Sequence, residues 1–127
     1  MTGVQTCALP IYFEAIDNSE KNSELLGYLN LLPSLTQQRK YDEAIKIARD
    51  VVEQVESCGD LSLTAHAHFN FADVYIHLNE FKQAINHLHL AEQALIKDSQ
   101  SGDFLSRVLA TLAECYINTN EIGRAHV

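Results

Sequence analysis

Apolar residues recur at helical spacing through most of this chain. From His66 to Leu95 it reads HAHFNFADVYIHLNEFKQAINHLHLAEQAL. In the first half, His68, Phe71, Ala72, Tyr75 and Leu78 share one helical face. In the second half, Phe81, Ala84, Ile85, Leu88, Ala91 and Leu95 do the same. A strand reading fails, because period-two alternation would mix both faces. Leu78-Asn79-Glu80 leaves room only for a tight turn, so the spacing predicts an antiparallel helix hairpin. Ala72 is expected to face Ala84, where small side chains let the helices approach.

The hairpin has copies. Tyr41, Ala44 and Ile45 stand 40 residues before Phe81, Ala84 and Ile85. Tyr28, Leu31, Leu32 and Leu35 match His68, Phe71, Ala72 and Tyr75; Leu109, Leu112, Ala113 and Tyr116 match the same four downstream. Fixed periodicity of this length marks a repeat array. The pattern resembles the tetratricopeptide repeat (TPR) in its longer, 40-residue form. A small residue precedes an aromatic by three in the first helix (Ala72, Tyr75; Ala113, Tyr116). An aromatic precedes an alanine by three at the start of the second (Tyr41, Ala44; Phe81, Ala84). The first repeat departs from the pattern, with Leu32, Leu35 and a Pro33 expected to kink its helix. The resemblance implies an all-α, right-handed solenoid fragment of antiparallel helix hairpins, with repeats over 23–58, 61–98 and a partial 103–121.

Local signals place the boundaries. Ser23 is the expected N-cap of a helix reaching Gln38, after a polar loop at Asn18–Asn22 and a helix tail over Tyr12–Asp17. Arg39-Lys40 turns into a helix over Tyr41–Ser57. Gly59 suits the left-handed C-cap and Asp60 the next N-cap. The last helix is expected over Phe104–Thr119, after punctuation at Ser99–Asp103. Both termini resemble translated sequencing adapter: Met1–Ile11 the direct translation, Ile122–Val127 that of its reverse complement. The expected biological part is therefore 12–121, with 1–11 and 122–127 excluded from reasoning about the fold. A truncated array would leave apolar surface at both ends, which points to self-association there.

Charge and composition narrow the function. The net charge of −8 is spread along the chain, which argues against nucleic acid and an anionic membrane surface as partners. No apolar run approaches the ~20 residues of a membrane span. Cys58 and Cys115 are far apart in sequence and without C-x-x-C spacing, as expected of reduced thiols in a cytoplasmic protein; Cys7 falls in the adapter-like segment. No nucleophile motif, P-loop, dinucleotide fingerprint or zinc spacing occurs, so no catalysis, cofactor or metal is expected.

His66, Asn70, Asp73 and His77 form one helical stripe. A metal or general base could be drawn there, but a polar surface needs less. The TPR resemblance gives the stripe another meaning, since first helices in that family line a concave, peptide-binding groove. By register the groove would comprise Leu26, Leu29, Asn30 and Pro33 from the first repeat and His66, Phe69, Asn70 and Asp73 from the second. The third would add Arg107, Ala110, Thr111 and Glu114. Asn30 and Asn70 are 40 residues apart, and a carboxamide can bracket a peptide unit. Only Arg107 is basic among these, so a C-terminal carboxylate is not the expected ligand. Phe69 and Leu29 suggest an apolar component, and Asp73 and Glu114 a basic or neutral partner. The expected function is a protein- or peptide-binding module, the sensor or scaffold region of a larger regulatory protein; the alternatives are a self-associating array or, less favoured, an enzyme with a histidine-lined site.

Overall fold

The computed structural model describes residues 18–99 and 102–119, with side chains from Glu24 onward except at Cys58. Among these residues the structure is all-helical. Five helices follow in order: α1 (Asn18–Gln37), α2 (Tyr41–Cys58), α3 (Leu61–His77), α4 (Phe81–Asp98) and α5 (Gly102–Asn118). Each packs on the next, α1 also packs on α3, and the α3–α4 contact is the most extensive. The adapter-like segments and Tyr12–Asp17 lie outside the described residues.

The two hairpin turns are built alike. Arg39 (φ 62°) and Asn79 (φ 60°) both take the left-handed conformation. Lys40 N donates to Leu35 O at 2.9 Å, and 40 residues on Glu80 N donates to Tyr75 O at 2.9 Å. These bonds satisfy carbonyls that a helix end leaves orphaned. The α2–α3 junction follows its sequence signals. Gly59 (φ 76°) ends α2 with its N–H on Val55 O, and the Asp60 side chain accepts from Leu63 N at 3.0 Å.

Two boundaries differ from expectation. Position 23 lies inside α1, which starts at Asn18, so the polar stretch read as a loop is helical. Polarity alone does not break a helix that has neighbours to pack on. As expected, Pro33 lies inside this helix; the Thr36 hydroxyl, buried, donates to the Leu32 carbonyl in the same turn. At the α4–α5 junction Ser99 (φ 53°) takes the left-handed cap, and α5 begins at Gly102, ahead of the expected Phe104.

Burial follows position in the helix order. On α3 both flanks are covered: Ala65 and Ala72 are fully buried, and so are Ala67, Phe71 and Val74 on the other side. On α1 only the first set has buried counterparts (Leu25, Leu32), while Leu31, the counterpart of Phe71, is 47% exposed. On α5 the pattern inverts. Val108, Leu112 and Cys115 are buried against α4, whereas Ala113, the counterpart of Ala72, is exposed and Ile117 is 62% exposed. The cause is neighbour count: α3 lies between α2 and α4, and among the described residues no helix precedes α1 or follows α5.

Ala72 and Ala113 are therefore a matched pair in unequal surroundings. Ala72→Leu should cost about 1–3 kcal/mol in chemical denaturation, and Ala113→Leu should stay within about 0.5 kcal/mol. Arg39→Gly, relieving a left-handed non-glycine, should gain about 0.5–1 kcal/mol in the same measurement.

Candidate binding face

The first helices bring part of the expected groove together. His66 and Phe69, one turn apart on α3, meet Phe104 at the start of α5. The His66 and Phe104 rings stack with centroids 4.4 Å apart and 21° between planes. Phe69 meets Phe104 edge-on at 5.3 Å and 76°. The Arg107 guanidinium lies 5.7 Å from the Phe104 centroid and 6.0 Å from that of Phe69, at the outer limit of a cation–π contact. All three rings are half-buried, and Arg107 is exposed.

Electrostatics keep this cluster weakly polar. Burial lowers the His66 pKa, the Arg107 charge lowers it further, and Asp60 partly opposes them. At neutral pH the ring is uncharged and behaves as an aromatic surface. Asp73, farther along α3, has its carboxyl pushed up by burial and held back by His77. His77 Nδ1 donates to the Asp73 carbonyl at 2.9 Å and lies 3.7 Å from its carboxylate.

The remaining groove residues divide. Leu26, Asn30, Pro33, Ala110 and Glu114 are exposed, while Asn70, Asp73 and Thr111 are half-buried. Leu29 is corrected: it is 1% exposed and belongs to the core, so it cannot line a groove. Its register position, shared with Phe69, is where one first helix meets the next. The asparagine pair is unequal too. Asn70 Nδ2 donates to His66 O at 2.9 Å within its own helix, and Thr111 Oγ1 donates to Arg107 O at 2.9 Å. One amide hydrogen of Asn70 is thus already engaged.

The histidine stripe does not assemble into a centre. Among the described residues no group of three or more His, Cys, Asp or Glu side chains is placed to hold a metal ion. Cys115 is buried, and its thiol is pushed up by burial and the Glu114 charge, which disfavours the reactive thiolate. No helix among the described residues is long and apolar enough to cross a membrane.

The sequence did not point to three clusters: that of Phe104, that of His68 with His87, and that of His89 with Tyr116. Only the α3–α5 approach gives Phe104 a role. His89 meets Glu92 of its own helix through Nδ1 at 3.1 Å and, across to α5, the Tyr116 hydroxyl through Nε2 at 2.9 Å, beside an open hollow of about 510 Å³. The second cluster, His68 with His87, had a usable signal. Positions 68 and 87 face each other across the turn as Ala72 and Ala84 do. Comparison with protein-family models, curated proteins and solved structures returned no match.

Phe104→Ala should release His66 from its stack. Ring-nitrogen NMR should then find His66 titrating closer to the ordinary histidine value, with a stability loss of about 1–2 kcal/mol.

Proposed function

We propose that this chain is a TPR-like, right-handed array of helix hairpins that binds a peptide segment of a protein partner in the concave face of its first helices. The observation that carries the reading is the cluster of His66, Phe69, Phe104 and Arg107, in which α3 and α5 present half-exposed rings on one face. The matching turns 40 residues apart support the array. The ligand is neutral or basic with an apolar anchor: the rings take the anchor, and Asp73 and Glu114, with a net charge of −8, disfavour an acidic chain. In this reading the module works without catalysis, metal or cofactor, in the cytoplasm, as the sensor or scaffold part of a larger regulatory protein.

A second reading, self-association, is favoured by one observation. Leu109 and Ile117 leave α5 with 45% and 62% exposed apolar side chains.

A displayed library of neutral and basic peptides, with hits titrated by fluorescence anisotropy, tests the first reading. Phe69→Ala should weaken the hits at least about tenfold, or ~1.4 kcal/mol, while circular dichroism retains the helicity. Undiminished binding in that variant would sink the groove assignment. If sedimentation instead finds dimers that Ile117→Glu dissolves, self-association is the better account.

A further inference from the structure

The α3–α4 interface contains a polar cluster that neither reading above uses. His68, only 2% exposed, places Nδ1 3.0 Å from Nδ1 of His87 on α4 and Nε2 2.9 Å from Glu56 Oε2 on α2. The two imidazoles stack at 5.2 Å. Phe71 and Tyr75 cover the His87 ring at 4.2 and 5.8 Å. The fold does not require these residue types. At the corresponding places in the first hairpin stand Tyr28 and Ile47, packed against the core. A pair of imidazoles, one buried and one half-buried, where Tyr28 and Ile47 serve in the first hairpin calls for a separate account.

Hydrogen-bond chemistry limits the states this pair can take. A contact between two Nδ1 atoms needs one hydrogen between them: one nitrogen donates and the other accepts. With both rings neutral, His87 Nδ1–H donates to His68, and His68 Nε2–H donates to Glu56. With one proton added, both contacts survive, since a His68 imidazolium donates from both nitrogens. A second proton sets N–H against N–H and places two cations in stacked rings, with one carboxylate to offset them.

We propose that Glu56, His68 and His87 form a proton-sensitive clasp joining α2, α3 and α4, closed while the pair is neutral or carries one added proton and loosened when a second is added. Among the described residues, the charged groups acting on His87 are His68 from α3 and Glu56 from α2; α1 and α5 contribute none. Burial, then the His68 charge, holds His87 down to about 4, against a slight upward pull from Glu56. This value lies below the ordinary 6.5, so the folded chain binds fewer protons than the unfolded chain in between. The clasp's contribution is therefore complete above pH 6.5 and is lost as the pH falls toward about 4.

Ring-nitrogen NMR of the full chain between pH 8 and 4 tests this directly. His87 should remain mostly neutral at pH 5, where an ordinary histidine is almost fully charged. Glu56→Gln, at a half-exposed side chain that the fold tolerates, should shift His87 protonation to lower pH. His87→Ile, the residue of the first hairpin, should flatten the decline of the urea midpoint between pH 6.5 and 4. The proposal is overturned if His87 titrates near 6.5 or if Glu56→Gln leaves its titration unmoved. It is equally overturned if the His87→Ile and unaltered chains lose stability in parallel. Should His87→Ile fail to fold, the titration of the unaltered chain still decides.

Discussion

Close contact between α3 and α4 is the constraint on which the rest depends. Ala72 and Ala84 are both fully buried, and the contact between these two helices is the most extensive among the described residues. Helices of 17 and 18 residues hold little stability alone, and packing supplies what propensity does not. Once this hairpin forms, α3 offers one flank to α2 and α1 and the other to α5. The outer helices inherit their orientation from it. Among the described residues each has a flank with no further helix alongside, and Leu31 on α1 and Ile117 on α5 are exposed there.

The same interface carries the least expected chemistry. Apolar packing would serve at positions 68 and 87, and a buried imidazole needs its nitrogens satisfied. Here that demand is met across three helices, with Glu56 at one end of the chain of contacts. Among the described residues no buried side-chain nitrogen or oxygen lacks a partner. The histidines on the other side of α3 behave differently. His66 joins an aromatic cluster with Phe104, and His77 bonds back to its own helix at Asp73. One helix thus separates a proton-sensitive interior from an aromatic, weakly acidic outer face.

The placement of the expected groove residues was only partly legible, for a definite reason. Register identifies which positions of successive first helices correspond, and it brought His66, Phe69 and Arg107 into one neighbourhood. It does not tell a position on a helix's open face from one where consecutive first helices meet. Leu29 and Phe69 occupy the latter, so one is buried and the other is half-covered by Phe104. Asn70 is a similar case. Its carboxamide was read as a donor for a partner, and the structure gives one hydrogen to the His66 carbonyl, four residues back. That local alternative is always open to asparagine in a helix.

Periodicity by itself determined the helical class, the hairpins and their turns, because the 3.6-residue spacing and short polar breaks are local properties of the chain. Gly59 and Asp60 likewise mark their boundary through backbone and hydrogen-bond preferences of single residues. The tertiary structure decided what depends on neighbours: that α1 begins at Asn18, and that Ala72 is buried while Ala113 is exposed. It also decided that His68 finds a proton partner in His87. Those outcomes are set by which helix lies alongside, and the spacing of apolar residues within one helix does not carry that information.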